Sequence, residues 1–394
     1  MYKHLFKLIW NKKKQNFLFL SEILVSFLVI FTVFSFVLYY YQNYRKPLGF
    51  EYEKVWVAYY NNTQETKSSD TLTLFYENLR ARIKALPQVV DVSYSSYNVP
   101  FSESYMSTNV SYKGKSFDRV SNFRLDTNYK NVWQLKVLDG HWYTKDDIKG
   151  KYEPVVIDST LKETLFGNKT AIGQVIGDGD KTNTKKIIGV VRDMKIEGDY
   201  HTAGKSMYTR IDTSAFQSLG LLAIRVNDQA DAAFENKLYK LLANTMKKSN
   251  ISISHATEMR VSKNEHTIIP MIIFMIVASF LIINVALGLF GVLWYSINRR
   301  KGEIGLRRAI GATGNSVTYQ LIAESMILAS LALIVGCFFA LQFPLLHVFD
   351  ITTSAYLMAM LLAILFIYLL VFLCSLYPGK QAAAILPAIA LHEE

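Results

Sequence analysis

The chain has 394 residues, of which 51% are hydrophobic and only 19% are charged, whereas an ordinary soluble domain has about 25% charged residues. This composition excludes a disordered chain and indicates a packed core, a membrane region, or both. The formal charge of +11 is spread out, because 32 of the 43 basic residues share region 42–267 with 26 of the 32 acidic residues. Mixed charge of this kind is typical of a solvated surface and argues against nucleic acid as a partner.

Four apolar runs are long enough to cross a bilayer, which takes about 20 residues. They are 17–41, 268–295, 321–348 and 356–377. The first follows a basic, amphipathic leader, 1–16, and we interpret it as an uncleaved anchor because it is long and no small-residue cleavage site follows it. The second would be about 42 Å long as a helix, more than the roughly 30 Å hydrocarbon core, so it is expected to continue beyond the membrane.

The basic residues beside these spans predict their orientation. Five lie in the leader, five lie in segment 296–320, and Lys380 follows the fourth span, whereas 350–355 has none. Because cytoplasmic loops carry an excess of Lys and Arg, both termini, including the tail 378–394, are expected in the cytoplasm. Region 42–267 is then expected on the opposite side of the membrane.

Region 42–267 alternates short β-rich runs with amphipathic helical patterns, which predicts a folded α/β domain. Two strand-helix-strand units are expected to pair into one subdomain, with a β-rich insert at about 107–211 between them. Asp70 is expected to cap the first helix. The predicted units are 53–60, 70–86 and 89–95, and then 222–226, 230–246 and 251–254.

Patterns of catalytic, cofactor and metal sites are missing from the sequence. It has no G-x-x-x-x-G-K-[ST], and the glycines of 176–184 fit a hairpin turn better than a phosphate-binding loop. The histidines are scattered, and Cys337 and Cys374 lie inside apolar runs, where they supply neither a disulfide framework nor a zinc site. We therefore expect no catalytic residue, no cofactor and no metal on this chain.

Two ionisable residues, Glu22 and Glu324, lie within the apolar spans. Such groups are costly in hydrocarbon and are often functional. Both lie close to the predicted cytoplasmic ends of their spans, where snorkelling or a hydrogen bond between helices is a sufficient explanation. Four spans also leave little room for a polar cavity, so we do not expect a substrate path through this chain alone.

The cytoplasmic segment 296–312 (SINRRKGEIGLRRAIGA) alternates apolar and charged residues. This pattern favours a short amphipathic helix that lies on a membrane surface or in the groove of a partner. A positively charged topology anchor is the alternative. Anchoring requires Arg and Lys, but it requires neither Glu303 nor the glycines Gly302, Gly305 and Gly311.

Three separated stretches resemble the MacB/FtsX-like ABC transporter permeases, which include the lipoprotein-releasing LolC and LolE proteins. Residues 299–313, followed by Glu324, are similar to the R-x-x-E-I-G-x-x-R-A-x-G-A segment and downstream glutamate of that family. Residues 138–193 are similar to its extracytoplasmic G-R-x-F…L-F-G…V-x-G-V-x-x-D pattern, and 377–391 to its closing Y-P-A-x-x-A-x-x-x-x-P-x-x-A-L. The closing motif differs at Gly379 and Gln381, where the family usually has alanine and often arginine.

The resemblance implies an α-helical membrane protein with four transmembrane helices, one plus three. A large α/β extracytoplasmic domain would lie between the first two and would contain a porter-like subdomain and an inserted β-rich one. The permease would act as a dimer with a second copy or a related permease, in the cytoplasmic (inner) membrane of a bacterium. Since no ATPase domain is fused, ATP and Mg would be bound by a separate ABC ATPase dimer. A periplasmic adaptor and an outer-membrane channel are further expected partners, besides membrane lipids.

The implied activity is mechanotransmission, in which ATP-driven closure of the partner moves a coupling helix and the second span acts as a stalk. The outer domain would then export or release peptides, lipoproteins or toxic compounds. The residues expected to couple to the ATPase are Arg299, Arg300, Glu303, Ile304, Gly305, Arg307, Arg308, Ala309 and Gly311.

Two other functions remain open at this stage. An FtsX-like signalling scaffold would use its outer domain to activate a cell-wall hydrolase, and a short outer domain would favour it. The length of 42–267, with its insert, favours the transporter. A membrane-anchored enzyme is disfavoured because no catalytic pattern is found.

Overall fold

The computed structural model describes residues 13–61, 68–103, 105–144, 146–149, 151–177, 184–211, 220–346 and 348–384. Most of the predicted leader, the turn at 178–183 and the last ten residues lie outside this part of the chain. Two compact units are present. The outer domain is Asn43–Ile268, and the helical unit combines Met1–Gln42 with Ile269–Glu394.

The described part of the outer domain contains one mixed sheet of eleven strands. The strands are β1 (Val55–Tyr60), β2 (Val89–Ser95), β3 (Ser107–Tyr112), β4 (Lys115–Leu125), β5 (Val137–Gly140), β6 (Glu153–Asp158), β7 (Val175–Ile176), β8 (Lys185–Val191), β9 (Ser206–Arg210), β10 (Leu221–Val226) and β11 (Ile251–His255). Their order is β11-β1-β10-β2-β4-β9-β6-β8-β5, with β3 paired to β4 and β7 paired to β8.

Ten α-helices lie within the described residues. They are α1 (Lys13–Tyr44), α2 (Ser69–Lys84), α3 (Tyr129–Trp133), α4 (Ser159–Phe166), α5 (Ala232–Thr245), α6 (Ala256–Arg299), α7 (Lys301–Ala309), α8 (Gly314–Ala340), α9 (Gln342–Leu345) and α10 (Thr353–Ala383). Short 3-10 turns occur at Asp146–Lys149 and Val348–Asp350.

The two predicted strand-helix-strand units form as β1-α2-β2 and β10-α5-β11. Helix α2 buries Leu72, Tyr76 and Ile83 against the sheet, and each fully buried large side chain stabilises the fold by about 1.5–3 kcal/mol. The prediction that Asp70 caps this helix is wrong. The N-cap position is Ser68, which makes no capping bond, and Asp70 lies exposed in the first turn, where its charge favours the helix dipole.

The insert begins with β3 and ends with β9, and its strands continue the same sheet. At the junction of the two halves, β2 pairs with β4 at Ser95 opposite Leu125, and the Ser96 amide donates to the Arg124 carbonyl at 2.8 Å. Around the end of β6, Asp158 caps α4 by accepting a hydrogen bond of 2.7 Å from the Leu161 amide. The two halves of the sheet share one hydrophobic core, which includes Val57, Ala223 and, from the insert, Phe123.

In the part of the chain that the structure describes, four helical stretches are long and apolar enough to cross a membrane: Phe19–Tyr44, Ala256–Arg299, Gly314–Leu345 and Thr353–Ala383. The second is a single helix of 44 residues. It begins twelve residues before the predicted span. Its first turns are polar, so a search for apolar runs does not detect them. It also reaches Arg299, and α8 begins at Gly314, so the predicted cytoplasmic loop 296–320 is mostly helical.

Small residues line the contact between α8 and α10. Ala329 and Ala332 on α8 are buried, as are Ala359 and Ala363 on α10. A Cβ added to Gly336 of α8 would lie 2.5 Å from the ring of Phe27 on α1. Small side chains let membrane helices approach closely, and van der Waals packing then holds them together.

Candidate functional site

A break in the helix follows α6. Arg300 lies between α6 and α7 with φ −107° and ψ 13°, and α7 turns away from there. At its other end, α7 stops before Gly311, whose φ is +102°. A residue with a Cβ would be strained in this backbone conformation. The amide of Gly311 donates to the Arg308 carbonyl at 3.1 Å, and the amide of Ala312 donates to the Arg307 carbonyl at 3.0 Å. This pair of bonds is a Schellman motif, which ends the helix sharply.

Five polar side chains form a closed ring between α7 and α8. Arg300 donates to Glu324 at 2.7 Å and to Glu303 at 3.3 Å. Arg307 also donates to Glu303, and to Gln320 at 2.9 Å. The ring closes where Gln320 donates to Glu324 at 3.1 Å. Every member has two partners in the ring, so α7 is held at both its first and its second turn.

The pair of Arg300 and Glu324 is the least exposed part of this ring, with side-chain exposures of 12% and 16%. Burial lowers the pKa of Arg300, but the hydrogen bond and charge of Glu324 outweigh it, and the pKa is raised overall. Charge-assisted bonds in a poorly solvated place are stronger than exposed ones. Losing either partner would leave an uncompensated charge.

An apolar cluster lies beside the ring. Ile304 of α7 is buried against Ile297, Val317 and Ala382, with Leu321 partly buried beside them. Because these residues come from α6, α7, α8 and α10, the cluster packs four helices together at the position of α7. Burial of Ile304 then fixes which face of α7 points inwards.

The end of α10 is also attached to this site. Arg308 donates to the carbonyl of Ala383, and a positive charge there favours the negative end of the helix dipole. Thr318 of α8 donates to the carbonyl of Gly379 at 3.0 Å. A Cβ on Gly379 would lie 3.1 Å from the Thr318 methyl group, so the glycine at this motif position permits a close approach of α8 and α10.

The opposite face of α7 is exposed and apolar. Leu306 is 52% exposed and Ile310 is 79% exposed, and Gly302 and Ala309 are exposed on the same side. Positions 302, 306 and 310 are four residues apart and therefore share one helical face. Helix α7 is thus anchored by one face and presents an apolar surface on the other.

The structure brings some of the predicted site residues together and separates others. Arg300, Glu303 and Arg307 join Glu324 in the ring, and Glu324 was predicted as an intramembrane polar residue and as the downstream glutamate of the family motif. Among the other predicted positions, Arg308 binds the end of α10, Ile304 and Gly305 are buried, and Arg299, Ala309 and Gly311 are exposed.

Glu22 has a different environment from Glu324. Its carboxylate rests against the backbone of α6, where a Cβ added to Gly288 would lie 1.8 Å from Oε1. The two intramembrane glutamates therefore have different roles in packing. Glu324 pairs with a charge, whereas Glu22 occupies the space left by a glycine.

The sequence analysis missed Gln320 and Thr318. Gln320 lies four residues before Glu324, a spacing that places two side chains on the same helical face, so this signal was present. The bond from Thr318 to Gly379 had no such signal, because the two residues are 61 positions apart. Within the described residues, no group of three or more His, Cys, Asp and Glu side chains is arranged to hold a metal ion.

Comparison with known families covers most of the chain. Residues 17–240 match the family described as MacB-like periplasmic core domain. Residues 272–387 match the family described as FtsX-like permease C-terminal.

Similar proteins include several named macrolide export ATP-binding/permease protein MacB. The one from Aggregatibacter actinomycetemcomitans is 23% identical over 228 residues, which is 56% of this chain and 35% of the relative. The one from Chlorobaculum tepidum is 24% identical over 348 residues, which is 82% of this chain and 50% of the relative. The chain thus spans between a third and a half of the length of these relatives.

Two solved structures are similar to part of the chain. The periplasmic region of MacB from Actinobacillus actinomycetemcomitans has a TM-score of 0.38 and 15% identity, covering 53% of this chain and 92% of that one. The extracellular domain of the transporter YknZ from Gram-positive bacteria has a TM-score of 0.35 and 16% identity, covering 51% and 99%. The match of 17–240 to the periplasmic core family alone spans more than half of the chain, and with four apolar helices and the FtsX-like match it shows that the chain belongs to the MacB/FtsX-like ABC transporter permeases.

Proposed function

We propose that this chain is the permease subunit of a MacB-type ABC transporter, whose outer domain is moved by ATP hydrolysis on a separate ATPase subunit. The observation that carries the proposal is the two-faced helix α7. Its inner face is fixed by the polar ring and by Arg308, and its outer face exposes Leu306 and Ile310. An apolar helix face fits the groove of a partner, and a firmly anchored helix passes on the force that the partner applies.

The route of transmission follows from the chain. Helix α7 follows α6 after a single residue, Arg300, and α6 is one helix from Ala256 to Arg299 with Pro270 inside it. A displacement of α7 is therefore applied to one end of a long helix whose other end begins directly after β11. This arrangement supports mechanotransmission rather than passage of a substrate between the membrane helices.

The orientation belongs to the same proposal. With α7 in the cytoplasm of a bacterium, both termini lie on that side of the cytoplasmic membrane and the outer domain lies outside. The basic residues of segment 296–320 support this orientation.

Partners and substrates are proposed from the relatives. Their name combines ATP binding and permease functions, and this sequence has no phosphate-binding G-x-x-x-x-G-K-[ST] motif, so ATP and Mg are assigned to an ATPase dimer. A second permease copy, or a related permease, completes the core, and a periplasmic adaptor and outer-membrane channel extend it. Peptides, lipoproteins or toxic compounds are the proposed substrates. The match to the MacB-like periplasmic core favours transport over the scaffold function.

Two substitutions on the exposed face of α7 test this proposal. Leu306→Asp and Ile310→Asp place a carboxylate where an apolar contact is expected. Leu74→Asp is the matched control, because Leu74 is a leucine 72% exposed on α2 of the outer domain. Each full-length variant is purified from native membranes in mild detergent, and the co-purified ATPase subunit and its activity are measured.

We expect the two α7 variants to lose at least tenfold of the bound ATPase, while the control retains it. Full recovery of the ATPase with Leu306→Asp and Ile310→Asp would reject α7 as the coupling helix. Absence of any ATPase from the wild-type preparation would reject the transporter.

A further inference from the structure

A short segment between β8 and β9 holds both ends of the outer domain. We name residues 195–201 the clamp segment. It belongs to the β-rich insert, because β8 and β9 are insert strands. The residues that it contacts lie near the two positions where the chain enters and leaves the outer domain, at Asn43 and Ile268.

On the entry side, Lys195 binds the last turn of α1 and the chain that follows it. Its ammonium donates to the Asn43 carbonyl at 2.6 Å and to the Lys46 carbonyl at 3.4 Å. It also donates to the Asp199 carbonyl at 2.6 Å, so it joins the clamp segment to the entering chain. The amide of Lys195 adds a bond of 2.9 Å to the Leu48 carbonyl. Lys195 is 3% exposed, and its three acceptors satisfy all the donors of the ammonium group.

On the exit side, Asp199 binds the first turns of α6. Its carboxylate accepts from Arg260 at 2.8 Å and from the Asn264 amide group at 2.5 Å. The backbone amide of Asp199 donates back to the Asn264 side chain at 2.9 Å. Gly198 has a φ of +98°, which favours glycine, and a Cβ there would lie 2.6 Å from the same Asn264 oxygen.

Neighbouring residues widen the attachment to α6. Glu197 pairs with Lys263 at 3.1 Å, and His201 bonds to Thr267 at 3.0 Å. With Arg260 and Asn264, these partners lie three and four residues apart, and therefore on one face of α6 over more than two turns. The clamp segment thus contacts one face of α6 through several residues rather than through one.

We propose that the clamp segment makes the first turns of α6 and the β-rich insert move as one body, with Asp199 as the positioning residue. Without it, the polar contacts left to the first turns of α6 would be with residues outside the insert, such as those of Arg260 with Tyr52 and of Lys263 with the Ser102 carbonyl. If α6 transmits movement, which rests on the proposed function, the clamp delivers that movement directly to the insert. The clamp segment then provides a second connection to the insert, besides the junction at which β2 pairs with β4.

The attachment of the clamp segment to α6 depends on the charge of Asp199. Asp199 is 5% exposed, and a buried carboxylate is stable only with close donors. Asp199→Asn keeps the shape but removes the charge, leaving Arg260 without its acidic partner. Asp228→Asn is the matched control, because Asp228 forms an exposed ion pair with Lys54.

The test is a distance measurement in the full-length chain in lipid nanodiscs. With Cys337 and Cys374 replaced by Ala, spin labels are placed at Glu163→Cys on α4 of the insert and at Val261→Cys on α6, which are both exposed. The labelled chain is diluted with unlabelled chain, so that only distances within one copy are recorded. We expect one narrow distance distribution for the wild type and for Asp228→Asn, and a distribution at least twice as wide for Asp199→Asn.

An unchanged narrow distribution in Asp199→Asn would overturn the proposal. Hydrogen exchange of the β10 amides shows whether each variant is folded. If the β10 amides of Asp199→Asn lose their protection from exchange, the distance measurement is repeated with Asn264→Ala, which removes one partner of Asp199. A distribution as narrow as that of the wild type would then overturn the proposal. The distance measurement requires no ATPase, so it still tests the clamp segment if the proposed transport function is wrong. The ATPase experiment on α7 likewise does not depend on the clamp segment.

Discussion

Arg300 and Glu324 join the break between α6 and α7 to the body of α8 through a bond of 2.7 Å. The two residues are 24 positions apart, and each also binds a second member of the polar ring. This bond therefore connects the long helix α6, the short helix α7 and the membrane helix α8 at one point.

Removing Glu324 should destabilise the chain. Glu324→Ala leaves the poorly exposed Arg300 without its strongest partner, and loss of one member of a buried ion pair costs about 3–5 kcal/mol. Because both side chains retain some exposure, we expect about 2 kcal/mol, seen as a lower midpoint of thermal unfolding in detergent. Glu265→Ala, at an exposed position of α6, is the control. Equal midpoints for the two variants would contradict the structural role of the ring.

Removing Glu303 and Arg307 together should affect partner binding more than stability. Their side chains are 42% and 35% exposed, and exposed pairs stabilise by about 0–1 kcal/mol. Both orient α7, so the double Ala variant should bind at least tenfold less ATPase while unfolding at nearly the wild-type temperature. Replacing the exposed pair Lys54 and Asp228 by Ala provides the control. Unchanged ATPase recovery would reject the coupling role of these residues.

The contact between Glu22 and Gly288 predicts a non-additive pair of substitutions. Gly288→Ala places a methyl group on the position of the Glu22 carboxylate, so it should lower the unfolding midpoint by forcing this side chain away. In a Glu22→Ala background the space is free, and the same substitution should have little effect. We expect a coupling energy on the order of 1 kcal/mol in a double-mutant cycle. Additive effects would show that the two residues do not contact each other.

Lys195 predicts a pH-dependent stability. Burial lowers the pKa of Lys195 from 10.5 to about 8; Asp199 opposes this effect, and Lys46 and Arg260 add to it. Between pH 8 and 10.5 the unfolded chain therefore binds more protons than the folded chain, and stability contributed by this group rises with pH. The same contribution is lost as the pH falls through 8.

The measurement compares thermal unfolding of the wild type and Lys195→Met at pH 7 and pH 9.5. Relative to the variant, the wild type should gain stability at the higher pH. Lys240→Met, at an exposed position of α5, should follow the wild type at both values. A difference between wild type and Lys195→Met that does not change with pH would contradict the shifted pKa.

The membrane-spanning helices and many strands were predictable because their signals are local. A run of apolar residues long enough to cross a bilayer is visible without knowledge of any neighbour. The strand β2 likewise has the predicted bounds, Val89–Ser95, because its β-branched and aromatic residues end at clear turn signals. The start of α6 at Ala256 was missed, because its first turns are polar and lie outside the apolar run from which the span was predicted.

The candidate site likewise contains some contacts that the sequence predicts and others that it does not. Glu303 lies three residues after Arg300 and four before Arg307, so its contacts with both follow from helical geometry alone. Their connection to Glu324, and that of Arg308 to Ala383, depends on how α8 and α10 pack beside α7.

The sequence by itself determined the number of apolar helices, the α/β character of the outer domain and the amphipathic pattern of the segment after α6. The tertiary structure decided which face of α7 is anchored and that the insert is fastened to α6. The physical reason is that residue spacing encodes local periodicity, whereas a bond such as Asp199 to Arg260, across 61 positions, forms only when packing has brought two distant segments together.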